Sequence, residues 1–85
     1  MAEAVVARRL AACVQITPIR SVFRWKGKTQ TAGEYLLSAK TRPALARRLM
    51  NYLRETHPYE LPEIVSADLA AASQAYRAWV FSETA

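Results

Sequence analysis

The chain contains one cysteine, one histidine and two glycines among its 85 residues. With a single cysteine, Cys13, no disulfide can form within the chain, which is typical of proteins that fold in a reducing compartment. We therefore expect a cytoplasmic protein. No apolar run approaches the roughly 18–20 residues that span a bilayer, so we expect no membrane partner.

Acidic residues are also few. Seven Asp and Glu stand against twelve Lys and Arg, which gives a net charge of +5 and makes nucleic-acid binding worth testing. The basic residues are spread along the chain, however, and there is no glycine-rich phosphate loop, zinc-ligand spacing or aromatic motif for single strands. Nucleic acid is therefore not the expected partner, and a basic nucleic-acid-binding domain is the alternative function.

The apolar content is high for so short a chain. Its length allows one domain, residues 1–85, and a chain of this size buries roughly 60–65% of the surface that its unfolded form exposes. Yet 52% of the residues are hydrophobic. Apolar surface should remain for a partner, and small domains are often completed by oligomerisation.

Apolar spacing in the first half of the chain predicts a helix followed by a long hairpin. Residues 2–10 have helical spacing, and residues 12–25 alternate with period two apart from an interruption at Pro18. Gly27 supplies a turn, and a second strand is predicted over residues 34–41.

The second half predicts a helix, a short strand and a last helix. Pro43 suits a first helical turn, and Leu45, Leu49 and Leu53 form an apolar stripe behind it. Pro58 should end this helix, because a residue before proline avoids helical backbone. A strand is predicted over residues 63–69, and Ser73 is placed to cap the final helix.

Three stretches together resemble the CutA family of divalent-cation tolerance proteins. They read RLAACVQITPIRSVFRWKGK, EYLLSAKT and THPYELPEIV, and the match covers nearly the whole chain in order. The resemblance implies an α+β fold, a ferredoxin-like βαββαβ sandwich with a C-terminal helix. It also implies a tight homotrimer in which long hairpins pair between subunits, and a non-enzymatic role in tolerance of divalent metal ions such as copper, through a bound metal or small ligand.

One departure from the family concerns the first strand. Relatives begin with a strand that lies inside the sheet, and this strand is absent from residues 1–85. We expect upstream residues to supply it, rather than a neighbouring subunit. Residues 1–85 alone should then expose unpaired strand edges and tend to aggregate.

His57 is the candidate metal ligand, since a neutral imidazole binds copper or zinc. The resemblance implies copper ligation by two histidines and a thiol of the first strand, but Thr56 stands at the first histidine position and only His57 carries over. One ligand does not make a site, so a histidine with a structural role is the alternative. Copper or another divalent cation is the only candidate cofactor.

Four further residues are candidates for a ligand site or a structural turn. Cys13 could act as a ligand, although a free cysteine is more often a small buried apolar residue. Tyr59 lies between two prolines and suits a packing role with a polar tip. Glu60 and Glu63 could hold a hard cation or carry out acid–base work; alternatively, Glu63 could fix the turn by accepting hydrogen bonds. No nucleophile, base and orienting group are recognisable as a set, so we expect no enzyme.

Overall fold

Helices and one long hairpin make up the fold in the computed structural model, which describes residues 1–85. The elements in chain order are α1 (Ala2–Ala7), β1 (Cys13–Trp25), β2 (Lys28–Lys40), a 3-10 turn (Pro43–Leu45), α2 (Ala46–Thr56) and α3 (Gln74–Glu83). The helices and the hairpin predicted from the sequence are all present. No helix has the length and apolar character needed to cross a membrane.

α1 is shorter than the predicted 2–10 because a Schellman motif ends it. The amide of Arg9 donates to the carbonyl of Val6 and the amide of Leu10 donates to that of Val5, at 2.9 and 3.1 Å. Arg9 has a φ of 60°, in the left-handed region where glycine is usual. Leu10 and Val5 are both buried in the small core, so the motif turns the chain back onto apolar neighbours.

A two-residue turn joins β1 to β2. Lys26 and Gly27 both have positive φ, 52° and 79°, which is the requirement of a type I′ hairpin turn. The strands pair antiparallel in continuous register from Trp25 opposite Lys28 to Cys13 opposite Lys40. The predicted turn glycine is confirmed, and β2 begins six residues earlier than the predicted residue 34 because β1 offers it a partner along its whole length.

Pro18 lies inside β1, opposite Tyr35, and does not break the strand. Hydrogen-bonded and non-hydrogen-bonded pairs alternate along the ladder, and the closing pair Trp25–Lys28 of a two-residue turn is hydrogen-bonded. Pro18 lies seven residues before Trp25, an odd number, so it belongs to a pair that is not hydrogen-bonded. At such positions an antiparallel strand directs its nitrogen away from the partner strand. The sheet has only two strands, so the missing N–H costs no ladder bond.

α2 forms the centre of the small core. Leu49 is buried with Val5, Leu10 and Ala11, and the half-buried side chains of Val14, Tyr52 and Leu53 pack against them. The helix ends at Thr56, and His57 has extended backbone, φ −74° and ψ 137°. This confirms the stop predicted from Pro58.

The predicted strand over residues 63–69 is absent. A strand exists by pairing, and the main chain of residues 60–72 makes no backbone hydrogen bond within the chain. The sheet contains β1 and β2 alone, and no other strand lies beside this segment. Leu61, Val65 and Leu69 are exposed, so the segment carries apolar side chains but lacks the neighbour that would make it a strand.

α3 begins and ends with defined caps. The Ser73 hydroxyl accepts a 3.2 Å hydrogen bond from the amide of Tyr76, which confirms the predicted N-cap. At the other end Arg42 donates to the carbonyl of Phe81 and to both oxygens of Thr84, and its guanidinium lies 4.9 Å from the Phe81 ring. The residue before the 3-10 turn thereby holds the end of α3.

Candidate functional site

The turn that follows α2 contains most of the candidate residues, and the imidazole of His57 holds this turn in place. His57 is half-buried, and its Nδ1 accepts a 3.1 Å hydrogen bond from the amide of Tyr59. The two rings meet edge to face with centroids 4.8 Å apart. A histidine that caps the turn in this way has a structural use for one ring nitrogen.

This hydrogen bond limits how His57 can bind a metal. An accepting Nδ1 places the proton of the neutral ring on Nε2. Binding a cation through Nδ1 would break the bond to Tyr59. Binding through Nε2 would move the proton to Nδ1, which would lose its role as acceptor. Either route therefore removes the hydrogen bond between His57 and Tyr59 that holds the turn.

The two glutamates of the turn face solvent. Glu60 and Glu63 are exposed, and neither takes part in a side-chain hydrogen bond. The turn is held by His57, not by Glu63 as one sequence interpretation had it. Tyr59 is 55% exposed and touches the imidazole, so within one chain its ring covers His57 and little else.

Cys13 lies apart from this turn, as the first residue of β1. Its neighbour is Tyr76 of α3. Partial burial and the neighbouring Cys13 together raise the pKa of the Tyr76 phenol. Sequence spacing could not have shown this pair, because 62 intervening residues separate its members.

The donors of one chain do not assemble a metal site. No group of three or more His, Cys, Asp or Glu side chains lies close enough to hold an ion. Zinc and copper usually take three or four protein ligands or keep one position for water. His57, Cys13, Tyr59, Glu60 and Glu63 therefore remain predicted site residues that one chain does not bring together around a cation.

Comparison with known proteins identifies the family. The family model described as CutA1 divalent ion tolerance protein matches residues 1–83. The chain belongs to the CutA1 family. The resemblance seen in the sequence is thus confirmed over almost every residue.

Relatives of this CutA1-family chain occur in organisms as different from each other as a mouse and Encephalitozoon cuniculi. It is 39% identical to the CutA protein of Mus musculus over 85 residues, which are 99% of this chain and 48% of the mouse protein. It is 42% identical over 77 residues to a probable divalent-cation tolerance protein, a cutA homolog, of Encephalitozoon cuniculi, covering 91% of this chain and 68% of that protein. The chain therefore spans about half the length of the mouse relative.

Solved structures share the fold. CutA from Synechococcus elongatus is 42% identical with a TM-score of 0.94, over 99% of this chain and 75% of that one. The PII-like protein CutA from a Nostoc species, in apo form, is 34% identical with the same TM-score, over 99% and 83% of the two chains. The expected ferredoxin-like α+β fold of the CutA1 family is confirmed.

Proposed function

We propose that this chain is the subunit of a non-enzymatic homotrimer that acts in tolerance of divalent metal ions, copper among them, by binding a metal or a small ligand. Membership of the CutA1 family supports the role. The observation that carries the assembly is the hairpin, which leaves most of its large apolar side chains exposed to solvent.

The molecular surface is too large for a self-sufficient domain. A compact monomer of 9.5 kDa should expose about 5,000 Å². This chain exposes 6787 Å², and only 7 of its 85 residues are buried. Its radius of gyration is 14.6 Å, against about 12 Å for a compact chain of this length. The excess surface is of the size that subunit interfaces cover.

Apolar residues on the hairpin account for much of this exposure. Both strands contribute: the exposed side chains are Ile16, Ile19, Val22, Phe23, Tyr35, Leu36 and Leu37. Both outer edges of the two-stranded sheet are also free to pair. Pairing with hairpins of other copies would bury these side chains and satisfy those edges together.

Sedimentation equilibrium at micromolar concentration tests the assembly. We expect the mass of a trimer for the unaltered chain. Val22→Glu should shift it towards monomer because it places a carboxylate at an apolar position that is 68% exposed in one chain. Gln30→Glu is the matched control, since it adds the same charge at an exposed polar position of the hairpin. A monomeric unaltered chain would refute the proposed assembly.

A bound cation would use groups from more than one chain. One chain offers no set of three ligands, and its histidine already fastens a turn. We therefore assign His57 to the turn and the cation to groups that assembly brings together. Native mass spectrometry of protein purified without added metal would show the oligomer and any bound species at once.

Calorimetry with Cu²⁺ and Zn²⁺ separates the two roles of His57. If it fastens the turn, His57→Ala should leave both affinities within a few-fold. A loss of about 10-fold or more, ~1.4 kcal/mol, would make it a ligand.

Binding rather than catalysis fits the candidate side chains. Cys13 has Tyr76 as its neighbour and His57 has Tyr59, so neither meets the other as nucleophile and base. We place the trimer in the cytoplasm because a single free cysteine suits a reducing compartment. An Arabidopsis thaliana relative, 38% identical, is named as chloroplastic, and fractionation of the source cells would distinguish the compartments.

A further inference from the structure

An open groove of about 470 Å³ lies between the end of α1 and one side of α2. Its walls are Arg8, Leu10, Arg48, Asn51, Tyr52 and Glu55. This volume is within the range of small-molecule sites, which combine an apolar floor with a few polar groups. The groove belongs to a single chain and includes no residue of the hairpin or of the turn after α2.

Arg8 is held in place at one wall of the groove. Its guanidinium lies 4.8 Å from the centroid of the Tyr52 ring, in a cation–π contact. Its backbone is the C-cap of α1, and the Schellman motif that follows fixes the direction in which the chain leaves the helix. The Arg8 guanidinium makes none of the side-chain hydrogen bonds of the chain, so its N–H groups are available for an anion.

Arg48 approaches from the other wall, in the first turn of α2. That turn contains no acidic residue, so the positive end of the helix dipole is not compensated there. Tyr52 follows Arg48 by four residues and therefore lies on the same face of the helix. Tyr52 therefore contacts Arg8 of one wall and shares a helix face with Arg48 of the other.

Neither arginine is neutralised by a hydrogen-bonded carboxylate. The guanidinium hydrogen bonds of the structure come from Arg9, Arg42 and Arg54, and they go to carbonyl, hydroxyl and amide oxygens. Glu55 also lines the groove, but it follows Arg48 by seven residues, about 10 Å along the helix axis. The groove therefore carries two arginines against one glutamate.

We propose that this groove binds a small phosphorylated molecule, with Arg8 and Arg48 as the ligands of its phosphate group. Guanidinium groups match the oxygens of a phosphate in bidentate fashion, and two of them suit its double charge. Leu10 and Tyr52 supply the apolar floor for the organic part of the ligand. A long nucleic acid fits less well, since it relies on many phosphate contacts along a continuous track.

The experiment is an NMR titration of the full chain at low ionic strength, followed through the arginine side-chain Nε–H resonances. Phenyl phosphate is the organic probe and inorganic phosphate the second. Both should shift the signals of Arg8 and Arg48. Tighter binding of phenyl phosphate supports an organic ligand, whereas equal binding assigns the site to free phosphate.

Paired variants provide the control. Arg48→Ala should weaken phenyl phosphate binding at least 10-fold. Arg47→Ala removes the same charge from the same helix turn at an exposed position outside the groove, and it should change the affinity less than 2-fold. Arg8→Lys keeps the charge but loses the planar guanidinium, and it should weaken binding several-fold. Circular dichroism of each variant verifies that it is folded.

Three results would overturn the proposal. Equal losses for Arg47→Ala and Arg48→Ala would show general attraction by net charge. Shifts at arginines spread over the surface, with none favoured, would show the same. Binding of a single-stranded oligonucleotide much more tightly than either phosphate probe, with a steep dependence on salt, would assign the basic face to nucleic acid instead.

Discussion

Arg9 and Ser82 are joined across 73 positions of the sequence by a 2.8 Å hydrogen bond from Nη2 of the arginine to the carbonyl oxygen of the serine. The Nε of Arg9 also donates to the carbonyl of Glu83 at 3.3 Å. The last carbonyls of a helix have no partner within it, and a cation is stabilising at that end. Arg9 thus caps α3 from the end of α1.

Arg9→Ala should destabilise the chain more than Arg9→Gly. Both variants lose the two hydrogen bonds to α3, at about 1 kcal/mol each. Only alanine keeps a Cβ in the left-handed backbone region, which costs about 1 kcal/mol that glycine avoids. Urea unfolding measures both free energies. Arg20→Ala, at an exposed position on β1, is the control, and equal losses for Ala and Gly at position 9 would contradict the strain argument.

Thr84→Val should cost about 1–3 kcal/mol, because it leaves a partly buried guanidinium N–H without an acceptor. Thr84 is buried, with 3% of its surface exposed. Its hydroxyl accepts a hydrogen bond from Nε of Arg42 at 2.9 Å and donates one to the carbonyl of Val80 at 2.8 Å. Thr84→Ser retains the hydroxyl and should lose much less. Thermal melts of the two variants give the comparison, and a valine variant as stable as the serine one would show that Arg42 finds another partner.

Ser73→Ala should lower the stability of α3 by about 1 kcal/mol, the usual cost of removing an N-cap hydroxyl. Its partner, the amide of Tyr76, should exchange faster with solvent in hydrogen-exchange NMR. Ser73→Asp provides an acceptor again and should restore protection. Unchanged exchange at Tyr76 in the alanine variant would mean that the cap contributes nothing.

Tyr76 should ionise above the ordinary tyrosine pKa of about 10, because its pKa is raised by partial burial and by Cys13. The unfolded chain then loses this proton first, so stability should fall as pH rises from the ordinary value through the folded one. The tyrosinate absorbance of the unaltered chain minus that of Tyr76→Phe isolates this group. Cys13→Ser should lower the titration midpoint, and a midpoint at or below the ordinary value would contradict the assignment.

Local patterns in the sequence predicted those elements that are determined locally. The leucine stripe before Pro58, the cap at Ser73 and the glycine turn at Gly27 each depend on residues within a few positions. The strand over 63–69 failed because its existence depends on a neighbour, not on its own apolar composition. Period-two spacing shows that a segment can be a strand, and only a partner makes it one.

In the candidate site, too, local features could be predicted from the sequence and contacts between residues could not. The sequence singled out His57 as a candidate, since it is the only histidine and stands before a proline, and its role as a ligand stays a prediction. The hydrogen bond that His57 accepts from the amide of Tyr59 was not predicted, because it depends on the rotamer of the histidine side chain. No spacing rule in the sequence connects Arg9 and Arg42 with residues 81–83 or with Thr84.

The contacts between Arg9 and the end of α3 have a consequence for the order of folding. The hairpin closes through two residues, whereas the amide of Ala85 must find the carbonyl of Arg9 across most of the chain. That difference is about five doublings of loop length, at about 0.6 kcal/mol each. We expect the hairpin to form early and the hydrogen bond between Ala85 and Arg9 to form late. A chain in which α3 has not yet docked would therefore carry a completed hairpin while Arg9 still lacks its partners at Ser82 and Glu83.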